Sequence, residues 1–382
     1  MKALLLAFSL KQQYHAMRCA QLAGYEVHVL GKNMARGLRL SRYCASYREM
    51  EFVPGAAPLE TAVEEIAKAV RQIGADVVLP SDVVSTRLLT LIADRLPVRA
   101  CSLPDPVTFA HLNDKWWFYN FCRKEDLPTP ETWLFQTSQD LWNALRHQEI
   151  PLPLIVKPTN KMGSSGIFVI RTEAELVRLL TEDYRPVLAQ RYVDGQDCGF
   201  AMVCDHGRVV AYGFQQHFKW GYRYEDDPRI RSMAERIAAA TNYHGVAHFD
   251  VRKDALSGEL TLIECNPRYW YSMFALALAG LNFVDLSLKT GSLDPANPLR
   301  IGKVDVYVNK NLIMRFLSGK PVTACDRRVL NYYLSDPIPI LCERLRLCQD
   351  DRPGIAGSLD EQTSVLLNMA LPANEKISCA LE

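Results

Sequence analysis

A short apolar run, a helical run stopped by glycine and a second apolar run open this chain, and that alternation constrains the fold more than any other feature. Lys2–Phe8 reads as a buried strand, Lys11–Ala23 as a helix closed by Gly24, and Glu26–Leu30 as the next strand. A helix over Leu59–Ile73, ended by Gly74, leads into the strand Asp76–Leu79. Pro80-Ser81-Asp82 then supplies a loop with Asp82 as a helix N-cap. Short strands separated by helices imply a parallel, doubly wound sheet. The turn Ser9–Gln13 lacks Gly-x-Gly-x-x-Gly, which argues against a dinucleotide cradle. Met1–Leu10 also has the lysine and apolar run of a short secretion signal. Lys11-Gln12-Gln13 follows without a small-residue cleavage site, so a buried strand is the expectation.

The texture changes near Val107. One helix is expected over Val107–Lys124, then Pro128 and Pro130. Strand-like runs follow at Leu152–Lys157, Ile167–Arg171, Val187–Tyr192, Phe200–Cys204, Val209–Phe214, Val246–Val251 and Leu260–Cys265. These read as an antiparallel α+β region. After Leu281 the pattern is mixed and helical, and Asp350–Asp360 reads as a loose linker. The domain expectation is a parallel α/β domain over 1–105, a second domain over 106–290 with a lid at about 128–188, and a C-terminal extension over 291–382.

Composition narrows the function. Forty-four basic against forty-three acidic side chains leave no field to recruit nucleic acid or an anionic membrane. No stretch approaches the ~20 apolar residues of a membrane helix. The 11 cysteines are scattered, odd in number and free of Cys-x-x-Cys, so reduced thiols in a cytoplasmic protein are expected.

The most informative segment is Gly245–Arg268. Two strand-like runs flank Asp254–Glu259, where Ser257-Gly258 suits a turn, so a hairpin is expected. A register that sets Asp250 opposite Glu264 puts Asp250, Glu264 and Asn266 on one face. Two directly opposed carboxylates repel one another, and a cation between them resolves the conflict. Three oxygen ligands without sulfur or imidazole favour Mg²⁺, which keeps waters and takes phosphate oxygens as further ligands. His248 shares that face and is left as structure. The second segment runs Leu154-Ile-Val-Lys157 through Gly163-Ser164-Ser165-Gly166: a lysine ends a strand, and a glycine loop able to close on phosphate follows. It is not a Walker A loop, because the lysine precedes the glycines and strands flank it.

Two such segments in this order resemble the ATP-grasp superfamily, specifically its carboxylate–amine/thiol ligases. The resemblance covers residues 1 to about 290, about three quarters of the chain. It implies an N-terminal parallel α/β domain, a lid and an antiparallel metal-binding domain. It further implies that Lys115, in Asn113-Asp114-Lys115, and Lys157 hold ATP, and that Gly163, Ser164, Ser165 and Gly166 cover its phosphates. Ala189-Gln-Arg-Tyr-Val-Asp-Gly resembles the hinge that reads adenine, placing Gln190, Arg191 and Val193 around the base. Asp197 falls at the ribose position, with Cys198 the alternative alignment. The spacing Asp250…Glu264-x-Asn266-Pro-Arg268 resembles the metal motif, with two Mg²⁺ (Mn²⁺ an alternative) bridged by Glu264, and Arg268 as the catalytic arginine.

Two features depart from the family pattern. Gln190 stands where glutamate is common, and Tyr269-Trp270-Tyr271-Ser272 replaces small residues, so an aromatic-walled acceptor pocket is expected. In His217–Pro228, aromatic and basic residues interleave, and Lys219 or Arg223 is a candidate for a substrate carboxylate or, equally, a solvated loop charge. The expected activity is amide formation through an acyl phosphate, releasing ADP and phosphate, with amino acids as the expected carboxylate and amine and a homodimer as the expected assembly. The rivals are a non-catalytic ATP-binding module and an ATP-grasp enzyme that activates a carboxylate for a non-amine acceptor.

Overall fold

The computed structural model describes residues 1–8, 11–54, 57–158, 166–181, 184–308, 312, 315, 317–319 and 321–345. The first half of the chain gives β1 (Lys2–Ala7), α1 (Lys11–Leu22), β2 (Glu26–Gly31), β3 (Cys44–Glu49), α2 (Leu59–Ile73), β4 (Val77–Leu79), α3 (Val83–Ile92), α4 (Pro106–Asn113), α5 (Lys115–Lys124), β5 (Thr132–Phe135), α6 (Ser138–Arg146), β6 (Leu154–Pro158), β7 (Phe168–Ile170) and β8 (Val187–Arg191). The second half continues β9 (Gly195–Asp205), β10 (Arg208–Phe218), β11 (Gly221–Glu225), α7 (Pro228–Thr241), β12 (Gly245–Asp254), β13 (Leu260–Asn266), α8 (Met273–Ala279), α9 (Phe283–Ser287), β14 (Leu299–Arg300), β15 (Val304–Tyr307), α10 (Ala324–Leu334) and α11 (Pro337–Arg344). The chain divides into two compact units, 1–110 with 200–248 and 266 onward, and 111–199 with 249–265.

In the first unit β1 pairs in parallel with β2 on one side and β4 on the other, giving the order β3-β2-β1-β4. The alternation of β1 explains its continuous apolarity. Ala3, Leu5 and Ala7 join a core with Met17, Ala20, Phe274 and Val284, whereas Leu4, Leu6 and Phe8 join another with Ile66, Val70 and Leu88. Both faces are covered, as a parallel sheet requires. Gly24 and Gly74 end their helices in positive-φ conformations, and Asp82 caps α3 through a capping box with Ser85.

The same unit holds the antiparallel run β10-β11-β15, with β14 parallel to β10. Described residues of the 291–345 stretch are integral to it. Tyr332 Oη lies 2.7 Å from His15 Nδ1, and the Arg18 guanidinium is stacked 4.4 Å from the Tyr332 ring centre.

In the second unit the antiparallel sheet β5-β8-β6-β7 is backed by α6 and a 3₁₀ segment, Glu173–Thr181. Leu141, Leu145, Leu154, Val156, Ile170 and Val187 form its core. β12 and β13 are neighbours in a larger sheet, and their connection closes with Asp254 N donating to Glu259 O and Gly258 N to Asp254 O.

Several expectations need correction. The single helix over Val107–Lys124 is two, because Asp114 leaves helical geometry and caps α5 by accepting from Trp117 N at 2.6 Å. β3, β5, β11, α6 and α7 are additional. β3 is a half-exposed edge strand with no apolar signal. For α7 the signal was present: Asp227 caps it, Pro228 starts it, and Ile230, Met233, Ala234, Ile237 and Ala238 are buried at helical spacing. Gly163, Ser164, Ser165 and the 350–360 linker lie outside the described residues.

Candidate active site

Five chemistry-bearing side chains belong to the second unit. The break at Asp114 makes Lys115 the first residue of α5. Its Nζ lies 3.8 Å from Glu264 Oε2 on β13. Lys157 is on β6, where Ile155 pairs with Gln190 of β8, so the Lys157 and Gln190 side chains are diagonal neighbours on one face. Lys157 is 3% exposed, and its Nζ donates to Gln190 Oε1 at 3.0 Å. Gln190 Nε2 in turn donates to Thr132 Oγ1 at 2.9 Å. Both ends of the carboxamide are therefore engaged, and Gln190 holds Lys157 here.

Burial lowers the Lys157 ammonium to about 8; the carboxylates of Glu264 and Asp250 oppose the shift and Lys115 adds to it. Lys115, Lys157, Asp250 and Glu264 thus form one electrostatic group, two cations against two carboxylates. Glu264 and Asn266 are two apart on β13 and share a face. An all-oxygen set of Asp250, Glu264 and Asn266 fits a hard divalent cation, and the Lys115 ammonium beside Glu264 shows that a positive charge is accommodated there.

The hinge is tied down by its backbone. Arg191 N donates to Glu131 O at 2.8 Å, Tyr192 N to Pro153 O at 3.0 Å, and Val193 O accepts from Arg252 Nε at 3.2 Å. Asp197 pairs with Arg252 Nη1. Gly195 has φ +153°, and a Cβ there would meet Lys253 O at 2.0 Å, so only glycine fits. Gly166 also has positive φ, and its carbonyl accepts from Tyr184 Oη at 2.9 Å.

The first unit holds a polar cluster of its own. Its sheet order reverses between β1 and β4, and ligands of open α/β sheets bind outside the carboxyl ends of strands at such a point. Gln12 and Gln13 follow β1, and Ser81 and Asp82 follow β4. Gln12 Nε2 donates to Ser81 O at 2.9 Å and to Tyr269 O at 2.7 Å, and Gln13 Nε2 donates to Asp82 Oδ2. Arg268 donates through Nη2 to Asn266 Oδ1 at 2.7 Å and through Nη1 to Tyr269 O at 3.0 Å. Burial pushes the Asp82 carboxyl up, against hydrogen bonds from Ser85 and Gln13 and the charge of Arg268. Gln12, Gln13 and Ser81 were not singled out by sequence, although their place just after two strand ends was the available signal.

Two expectations here are overturned. Tyr269 and Trp270 turn into the core, where Tyr269 Oη lies 2.8 Å from Ser287 Oγ and Trp270 stacks on His248, so of the three aromatics only Tyr271 is exposed. The His217–Pro228 segment is a β10–β11 hairpin rather than a loop, and the Arg223 fork is taken by Asp305 at 2.7 and 2.9 Å. Lys219 lies over the Trp220 ring, 4.9 Å from its centre.

Residues 112–271 match the ATP-grasp domain family. The fold agrees with the biotin carboxylase domain of Hydrogenobacter thermophilus 2-oxoglutarate carboxylase, solved with MgADP and bicarbonate. The TM-score is 0.58 at 19% identity, covering 80% of this chain and 72% of that one. An L-amino acid ligase from Bacillus licheniformis superposes with a TM-score of 0.54 at 17% identity, covering 76% and 74%. At these identities the likeness is one of fold. In sequence, the D-aspartate ligase of Enterococcus faecium is 26% identical over 218 residues, 48% of this chain and 50% of the ligase. The chain thus spans about half the length of that relative.

Proposed function

We propose that this chain is an ATP-dependent carboxylate–amine ligase. The observation that supports the reading is the group formed by buried Lys157, Lys115, Asp250 and Glu264, two cations against two carboxylates, a charge set suited to phosphates and a metal ion. Lys115 and Lys157 hold the nucleotide phosphates. The backbone of Gln190, Arg191 and Val193 borders the base, and Asp197 is the ribose candidate. Asp250, Glu264 and Asn266 hold Mg²⁺, which neutralises charge on the phosphoryl group when bound.

In the reaction, a substrate carboxylate oxygen attacks the γ-phosphorus and ADP leaves. The amine then attacks the acyl carbon, loses a proton and expels phosphate, leaving an amide. Catalysis of this kind is mostly positioning and charge neutralisation. Arg268, steadied by Asn266 and the Tyr269 carbonyl, stabilises negative charge at the acyl centre. Amino acids are the proposed substrates, supported by the named activities of the D-aspartate ligase and the L-amino acid ligase. A cytoplasmic homodimer is proposed with it. Among the described residues no helix is long and apolar enough to cross a membrane.

A second reading is an ATP-grasp enzyme that activates a carboxylate for a non-amine acceptor; the biotin carboxylase domain of similar fold was solved with bicarbonate. The deciding experiment is ADP release with Mg-ATP across amino acids, singly and in pairs, with product masses. Release that needs a pair, and a product lighter by one water than the pair, supports the ligase. ADP release with bicarbonate and no amide product supports the second reading.

A further inference from the structure

Three metal-type donors outside the ligase machinery meet at one end of the first unit. β9 and β10 are joined by the two-residue turn His206-Gly207, whose φ values of +44° and +80° are those of a type I′ hairpin. Its first position, where asparagine or glycine is usual, carries an imidazole. Gly207 N donates to Tyr243 O at 2.8 Å, which locks the turn to the connector between α7 and β12. His244 is the next residue on that connector.

Both imidazoles face Asp205, the last residue of β9. His206 Nδ1 lies 2.9 Å and His244 Nδ1 3.4 Å from the same oxygen, Asp205 Oδ1. The rings stack with centres 4.1 Å apart and planes at 26°, and one ligand atom from each of the three residues falls within 4.8 Å of the others. His244 Nδ1 is shut off from solvent, and its contact with the carboxylate falls outside hydrogen-bond geometry, so this buried nitrogen has no hydrogen bond. Arg208 Nη2 sits 3.8 Å from the other oxygen, Oδ2, which leaves Oδ1 to the two rings.

We infer that Asp205, His206 and His244 form a binding site for a transition-metal ion of the Zn²⁺ class. Two imidazole nitrogens and one carboxylate oxygen select such ions, unlike the all-oxygen Asp250, Glu264 and Asn266 set. Bonds of ~2.0–2.1 Å at tetrahedral angles separate ligand atoms by roughly 3.3 Å. The two distances to Asp205 Oδ1 bracket that value. Three protein ligands leave a position for water. A bound ion ties the β9–β10 turn to the α7–β12 connector and stabilises the fold by mass action.

The test uses chelator-stripped full-length protein titrated with Co²⁺, read by visible absorption, and with Zn²⁺, read by equilibrium dialysis. The expected result is one saturable equivalent with visible ligand-field bands. His206→Ala and His244→Ala should each weaken it at least as much as the ~10–100-fold that loss of even an outer partner costs. Glu264→Ala should keep it, which separates this site from the proposed Mg²⁺ site. Asp205→Asn, nearly isosteric, guards against misfolding of the histidine variants and should also weaken binding. No saturable binding, equal binding in all four variants, or absorption dominated by cobalt–thiolate charge transfer overturns the inference.

Discussion

Replacing Lys157 with methionine tests the buried cation at the centre of the site without needing a substrate. The ammonium is 3% exposed and burial lowers it from the usual 10.5 to about 8. A shift of that size corresponds to about 3 kcal/mol, at ~1.4 kcal/mol per pKa unit. Between pH 8 and 10.5 the unfolded lysine holds a proton that the folded one has released, so wild-type stability rises with pH through that window. Below pH 8 both states are charged and the whole cost of burial is present.

Lys157→Met removes this titration and adds one constant loss, the hydrogen bond to Gln190 Oε1, worth about 1–3 kcal/mol for the acceptor left behind. The two proteins therefore differ little near pH 7 and diverge above pH 8, with wild type gaining. At roughly 2–4 °C per kcal/mol for a domain-sized unit, the difference in Tm should change by several degrees between pH 7 and pH 10. Scanning calorimetry of the nucleotide-free proteins across that range is the assay. A constant Tm difference from pH 7 to pH 10 would refute the argument that this lysine is buried as a costly cation.

Glu264→Ala should abolish ADP formation with the fold intact, because the Lys115 pair it breaks is partly solvated and worth no more than about 1 kcal/mol; wild-type turnover with unchanged far-UV circular dichroism contradicts the metal assignment. Gly195→Ala should lower Tm by several degrees, since its Cβ would sit 2.0 Å from Lys253 O and strain of this kind costs on the order of 1–3 kcal/mol; an unchanged melt shows that the hinge backbone adapts. Asp336→Ala removes the acceptor of Ser41 Oγ and Arg42 N and the partner of buried Arg18 at 3.9 Å, so urea unfolding should show a loss of about 3 kcal/mol or more. An unchanged midpoint means that the C-terminal helices contribute little to this unit.

The parallel sheet was legible because β1 is apolar on both faces, and no antiparallel strand with one wet side needs that pattern. The Asp250 and Glu264 hairpin was legible because an apolar strand interrupted by a carboxylate calls for a reason. Residues whose role depends on partners far along the chain were not legible. Nothing local says that Gln190 holds Lys157, that Arg223 is matched to Asp305 82 positions away, or that Tyr269 and Trp270 turn inward against Ser287 and His248. Edge strand β3 was hidden because an exposed edge carries polar residues, and the break before Lys115 was hidden because Asn113-Asp114 interrupts an otherwise unbroken helical pattern.

In the proposed reaction ATP activates a carboxylate as an acyl phosphate. Its most direct test is to run the ligation with the accepted acid labelled with ¹⁸O in its carboxylate and to weigh the released phosphate. One labelled oxygen should appear in phosphate for each amide formed. Amide and ADP produced with unlabelled phosphate would contradict it, because the carboxylate oxygen would then never have bonded to the γ-phosphorus.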